Sequence, residues 1–195
     1  MSAATLSTPR SAGAAPITCS APAKHANMPD SPARRSLVRW LLAAAAVIVL
    51  DQATKVGFDS ALSYGQRWPV LPFFDLTLLY NSGAAFSFLA DGQGWQRWLF
   101  TGIALVATVV IVRLLRKYPH EKLFCAALAL ILGGAVGNAI DRLLYGHVVD
   151  FLLFYWQDWY FPAFNVADIA ITCGAILLLI DEILRWRRER HRAQS

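Results

Sequence analysis

Charge is scarce in this chain: Asp, Glu, Lys and Arg make up 16% of its 195 residues, against about a quarter in ordinary soluble domains. That shortage, with 56% hydrophobic residues and a mean hydropathy of +0.43, argues against a water-soluble domain. Cysteines number only 3, at positions 19, 125 and 173, too few and too far apart for a disulfide-stapled scaffold. The 4 histidines are scattered, with no HExxH pair and no grouping with cysteine, so the sequence offers no recognisable metal site. The length excludes a large multidomain enzyme and fits one domain with a tail.

What is present is apolar and long. Four stretches, 37–58, 95–115, 123–140 and 166–184, each approach the ~17–25 residues that a helix needs to cross a bilayer. None has a polar face wide enough for water, which disfavours a soluble bundle. The net charge of +5 comes from 18 basic and 13 acidic residues, and their positions explain it. Arg34, Arg35 and Arg39 precede the first stretch. Arg113, Arg116, Lys117 and Lys122 surround the connection between the second and third, and Arg185, Arg187, Arg188, Arg190 and Arg192 follow the fourth. The segment 59–94 carries only Arg67, and 145–165 carries neither Lys nor Arg. This is the positive-inside pattern of four spans with both termini cytoplasmic. The basic excess is thus a topology signal, and nucleic acid is not expected as a partner.

The first stretch also has the basic start and apolar middle of a cleavable signal peptide, but Asp51 and Gln52 stand where small residues would prepare cleavage. It is read as a span. Residues 1–33, rich in Ala, Ser, Thr and Pro, are expected to form a disordered tail, and 189–195 a cytoplasmic one, around a single domain over 34–188. Of the outer connections, Pro69–Tyr80, the turn signal Asn81-Ser82-Gly83 and Ala84–Leu89 are expected to form a small antiparallel sheet. The other, holding Phe151, Phe154, Tyr155, Trp156, Trp159, Tyr160, Phe161 and Phe164, reads as an aromatic-rich loop at the membrane–water interface. The expected fold is therefore a four-helix membrane bundle carrying a small periplasmic β cradle.

Ionisable groups within such a bundle are costly and usually functional. Asp51 lies 14 residues past Leu37, about 21 Å up an outward-running helix. Asn138 and Asp141 close the third span, Asn165 and Asp168 open the fourth, and Asp150 sits in the connection between them. Topology thus brings four aspartates to one level near the outer face. Asp51 and Lys55 are i,i+4 and suited to a structural ion pair. Each Asn-x-x-Asp pair sets an amide beside a carboxylate on one helix face, while helix capping is an equal reading for Asn165. Paired carboxylates can share one proton, so one member activates water while the other donates a hydrogen bond. Spacing alone does not choose which aspartates pair.

Weaker readings are set aside. Gly133-Gly134-Ala135-Val136-Gly137 lies within an apolar stretch, where small residues let helices approach. A Ser82 or Ser87 nucleophile with Lys55 as base conflicts with the Asp51–Lys55 pairing. A transporter or proton relay is the chief rival, but its ionisable groups should extend through the whole depth. Asp181 and Glu182, at the inner end, are expected to pair only with Arg185 or solvent.

Five blocks then carry a resemblance: Asp51-Gln52-Ala53-Thr54-Lys55; Tyr80-Asn81-Ser82-Gly83-Ala84-Ala85-Phe86-Ser87; Gly133 through Arg142; His147-Val148-Val149-Asp150-Phe151; and Phe161 through Asp168. In this order on four apolar stretches they resemble the bacterial lipoprotein signal peptidases (signal peptidase II), which are intramembrane aspartic endopeptidases. The resemblance implies cleavage of diacylglyceryl-modified prolipoproteins just before the lipidated cysteine. It implies Asp150 and Asp168 as the catalytic pair, with Asp141 in support. Asn81, Asn138, Arg142 and Asn165 match pocket residues that position peptide or dyad, Asp51 and Lys55 match a supporting first-helix motif, and Gly83 and Gly134 match small positions. It further implies no cofactor or metal, a site facing the periplasm from the inner membrane, contact with membrane lipid, and inhibition by globomycin-like cyclic peptides.

Overall fold

A computed structural model describes residues 32–83 and 94–194. Of the tail expected at 1–33, residues 1–31 lie outside these residues, as does the strand expected at Ala84–Leu89, while Pro32 and Ala33 open the first helix. The element order is α1 (Pro32–Ala61), β1 (Arg67–Leu71), β2 (Phe74–Asn81), α2 (Trp95–Lys117), α3 (Lys122–Tyr145), β3 (Val148–Trp156), β4 (Trp159–Tyr160) and α4 (Val166–Gln194).

Helices form where the apolar stretches predict them, and each but α2 outruns its stretch by several residues. α3 continues to Tyr145, so Asp141 lies within its last turns instead of closing it. Gly146, at φ 82°, ends the helix in the left-handed conformation, its N–H donating to the Arg142 carbonyl at 3.1 Å. α1, α2 and α3 are long and apolar enough to cross a membrane. α4 is as long, but every 18-residue stretch of it contains at least three charged side chains, among them Asp168, Asp181, Glu182 and Arg185.

α1, α2 and α4 bury few of their residues and present much apolar surface outward: Leu42, Leu105 and Leu179 are each about two-thirds exposed. Such a surface suits hydrocarbon and would be untenable in water. The buried core is concentrated toward the end of the bundle away from the sheet, where Ala44, Ile111, Leu115, Cys125, Leu128 and Leu132 pack together. Cys125 fills space there as a small hydrophobe, its thiol against the Tyr118 carbonyl at 3.1 Å.

α3 is the central helix, and glycines set its approach to its neighbours. A Cβ on Gly133 would lie 2.6 Å from the Val47 Cβ of α1, and one on Gly134 would collide with the Ala167 carbonyl of α4. On α4, a Cβ at Gly174 would stand 2.7 Å from the Ala127 carbonyl. The glycine run is a packing seam, as small residues in membrane helices predict. Near the start of α3, Arg185 donates to Asp181 at 2.7 Å and also to Glu121.

The sheet differs from expectation. β1 and β2 form a hairpin, and β2 pairs on its other side with β3, giving the antiparallel order β1-β2-β3-β4. The aromatic-rich connection is therefore not a loop: Val148–Trp156 is a strand and Trp159–Tyr160 its short return. Two valines and a run of large side chains favour extended backbone, and β2 supplies the hydrogen-bonding edge that local sequence cannot reveal. The β2–β3 register shifts between Leu76 and Leu79. This places an extra residue in β2 and leaves Thr77 and Leu78 buried in succession. Beyond the shift, Leu79 faces Asp150 and Asn81 faces Val148.

Candidate active site

The site forms where the C-terminal halves of α1 and α3, the start of α4 and strand β3 meet. Its deepest layer is ionic. Lys55, 2% exposed, places Nζ 2.9 Å from Asp51 Oδ2, 2.9 Å from Asp141 Oδ2, and within 2.8 Å of Asn138 Oδ1. All three donor positions of the ammonium are thus used. Asp51 accepts the Ala167 backbone N–H at 2.8 Å, and Asp141 accepts that of Val149 at 3.2 Å. One buried cluster therefore ties α1 and α3 to the start of α4 and to β3. Buried charges are tolerated only when so fully bonded.

Gln52 completes this layer, although the sequence assigns it no separate role. Its Nε2 donates to Asp141 Oδ1 at 2.8 Å, Asp51 Oδ2 at 3.2 Å and the Gly137 carbonyl at 3.2 Å. The only available signal is its place beside Asp51, because partners some 85 residues distant leave no local pattern. Gly137 is the matching small position: a Cβ there would lie 2.6 Å from Asp51 Oδ2.

The next layer is amide. Asn138 Nδ2 donates to Asp168 Oδ1 at 2.8 Å. Asn165 Nδ2 donates to Asp150 Oδ1 at 2.7 Å, with longer contacts to Asn138 Oδ1 at 3.2 Å and the Val149 carbonyl at 3.3 Å. Asn81 Nδ2 reaches Asp150 Oδ2 at 3.2 Å from the neighbouring strand. Asn165 also caps α4, its Oδ1 accepting the Asp168 N–H at 3.0 Å while Asp168 Oδ2 accepts the Asn165 N–H at 3.3 Å. This reciprocal pair is a capping box. The capping and functional readings of Asn165 are thus both satisfied, by different atoms of one side chain.

Asp150 and Asp168 then face a cavity of about 500 Å³, together with Asn81, Gly83, Asn138 and Arg142. Its other walls are apolar, including Phe161, Phe164, Ile169 and Ile171. Asp150 also borders a second cavity of about 500 Å³ under the sheet, beside Tyr64, Arg67, Thr77 and Tyr160. Burial and then the negative charge of Asp168 raise the Asp150 pKa to about 7, against the opposing pull of Asn81, Asn165 and Lys55. Arg142 braces the rim, donating to the Asn138 carbonyl at 3.3 Å and the Gly83 carbonyl at 3.2 Å, with its guanidinium 4.9 Å from the Phe100 ring centre.

Every site residue expected from the sequence falls into one of these layers or into the glycine seam. Asp150, Asp168, Asn81, Gly83, Asn138 and Arg142 line the cavity, and Asn165 lies fully buried just beneath. Asp51, Lys55 and Asp141 form the ionic cluster, and Gly134 lies in the α3–α4 contact. The Ser/Lys alternative loses its base, since Lys55 is saturated by other partners, and Ser87 lies outside the described residues. Among the described residues no three His, Cys, Asp or Glu side chains form a metal-holding group.

Comparison with known proteins bears on what this arrangement is. The family model described as Signal peptidase (SPase) II matches residues 43–184. The lipoprotein signal peptidase of Cupriavidus necator is 53% identical over 171 residues, spanning 88% of this chain and 98% of that one. That of Paraburkholderia phymatum is 55% identical over 161 residues, 83% of this chain and 97% of its own. A solved bacterial membrane enzyme superposes with a TM-score of 0.68 at 32% identity, over 75% of this chain and 88% of the other. With a family match across most of its length and relatives this similar, the chain belongs to the signal peptidase II family.

Proposed function

We propose that this membrane peptidase, which removes signal peptides from prolipoproteins, does so by aspartic acid–base chemistry at Asp150 and Asp168. The observation that carries this reading is the pair of carboxylates beside one largely apolar cavity, each held by its own asparagine amide (Asn165 to Asp150, Asn138 to Asp168). Amides fix the direction of a carboxylate without neutralising it, and the raised Asp150 pKa suits a pair that shares one proton.

In this mechanism the ionised member of the pair takes a proton from water as its oxygen attacks the scissile carbonyl carbon. The protonated member donates to the carbonyl oxygen. As the C–N bond breaks, a proton passes to the leaving amine and the pair returns to its starting state. The apolar wall of the first cavity suits the lipid-bearing part of a diacylated precursor. The more polar cavity on the other side of Asp150 suits water and the extended peptide. Arg142 and Gly83 hold the rim against the peptide, while Asp51, Lys55 and Asp141 keep α1, α3 and α4 in register.

The topology in this proposal has four spans, α4 among them, within a single domain over 34–188 flanked by tails. α4 carries no charged side chain between Asp168, which meets the site, and Asp181, which meets Arg185. Both termini then face the cytoplasm of the bacterial inner membrane, with the dyad and sheet at the periplasmic leaflet. Membrane lipid contacts the apolar helix faces, and globomycin-like cyclic peptides block the cavity. A proton-relay reading finds less support, since α2 has no ionisable side chain between Arg97 and Arg113.

The test is incubation of the purified chain with a diacylated precursor and with its non-acylated counterpart. Cleavage of the first alone is expected, with activity abolished in Asp150→Asn and in Asp168→Asn while both variants remain folded and membrane-inserted. Substantial cleavage by either variant would falsify the dyad assignment.

A further inference from the structure

At the opposite end of the bundle from the dyad lies a separate cavity of about 440 Å³, lined by Arg35, Ser36, Arg39, Pro119, His120 and Lys122. We propose that it binds the phosphate headgroup of an anionic phospholipid of the inner leaflet. Two elements build it: the first turns of α1, and the segment joining α2 to α3. They are joined at the cavity by Ser36 Oγ, which donates to the Pro119 carbonyl at 2.7 Å.

Three features separate this cluster from basic residues that merely record topology. First, its cations lack counter-ions: among the described residues Arg35, His120 and Lys122 have no ion pair or hydrogen bond, and Arg39 has no ion pair, its guanidinium lying 4.8 Å from the Trp40 ring centre. The nearby acid, Glu121, is engaged by Arg185 of α4. Second, the donors line one open, solvent-facing cavity, with guanidinium forks from α1 and an ammonium from the start of α3, whose N-cap makes no side-chain bond. Guanidinium matches phosphate geometry in particular, and an uncapped helix start adds favourable potential for an anion. Third, apolar surface continues from the cavity. Arg35, Arg39 and Leu42 follow one another at i,i+4,i+7 on a single face, and Val38 and Leu42 are exposed. A free phosphate has no use for that slope; an acyl chain does. Basic pockets between membrane helices on the cytoplasmic side suit anionic headgroups. The proposal rests on the membrane embedding and orientation of α1 and α3, not on the catalytic assignment.

The test measures thermal midpoint and lipid adducts in native mass spectra for the purified full chain in detergent. It is titrated with phosphatidylglycerol, with phosphatidylcholine of the same acyl chains, or with inorganic phosphate. A saturable upward shift with phosphatidylglycerol is expected, weakened about fivefold in affinity by each of Arg39→Gln and Lys122→Gln. Arg116→Gln, an exposed basic residue outside the cavity, should leave it intact. An equal shift with phosphatidylcholine, or an equal loss in Arg116→Gln, overturns the site in favour of diffuse attraction. The same shift from inorganic phosphate alone overturns the lipid as its source. Unaltered phosphatidylglycerol affinity in an Arg39→Gln, Lys122→Gln double variant overturns the proposal outright.

Discussion

Lys55 Nζ donates to Asn138 Oδ1 at 2.8 Å, and this contact decides which way round the Asn138 amide sits. With its oxygen facing the ammonium, the amide turns its Nδ2 to Asp168. A lysine that touches neither carboxylate of the proposed dyad thereby orients one of them.

Lys55→Met is accordingly expected to cost more than a charge. It strands Asp51 and Asp141 in a buried site, a loss of about 3–5 kcal/mol, and frees Asn138 to rotate. The thermal midpoint should fall by on the order of 10 °C. Adding Asp51→Asn and Asp141→Asn to the same chain should restore much of the midpoint. Restored stability without restored cleavage would separate the orienting effect from the structural one.

Asn165 does two things with different atoms, and they are separable. Asn165→Ser keeps an oxygen able to cap α4 but removes the amide from Asp150. Stability within about 1 kcal/mol of the native chain is expected, with a large fall in kcat. Asn165→Ala should lose both. Comparable melting of the two variants would show that the cap is not significant.

The pH dependence follows from Asp150. Its pKa, about 7, lies above the ordinary carboxyl value. Between about pH 4 and 7 the folded chain therefore keeps a proton that the unfolded chain has lost, and stability falls as pH rises through that window. Asp150→Asn should flatten this slope and melt higher than the native chain above pH 7. Native cleavage should decline as pH rises past about 7, when the pair gives up its shared proton. A pH-independent difference in melting between the two chains would contradict this assignment.

Glycine substitutions should divide by position. Gly134→Ala drives a methyl group into the Ala167 carbonyl, one residue from Asp168. A cost of about 1–3 kcal/mol and marked loss of activity are expected. Gly57→Ala meets nothing within 4 Å and should stabilise α1 by up to about 1 kcal/mol. Melting curves of the two variants side by side check the contrast.

The legibility of this molecule from its sequence follows the range of its interactions. Long apolar runs and i,i+4 spacing are local, so α1 to α3 and the Asp51–Lys55 pair could be read directly. The β2–β3 pairing is not local, and β3 itself is a run of large side chains without the alternation that marks a half-buried strand. For that reason β3 reads as a loop. The same limit applies to the carboxylates: Asp141 and Asp150 looked equivalent by depth, and only the fold shows Asp141 beside Lys55 while Asp150 faces the cavity. Gln52 was silent because its partners lie across the bundle.

The seam between α3 and α4 has a mechanical consequence. Gly134 seated on the Ala167 carbonyl and Gly174 seated near the Ala127 carbonyl act as two rungs, about two helical turns apart along the contact. Neither helix can ratchet along the other without driving a carbonyl into a Cα. The wall that carries Asn138 and Asp168 therefore behaves as a single stiff plate, and room for a bulky precursor has to come from the sheet or from the lipid-facing flank of the cavity.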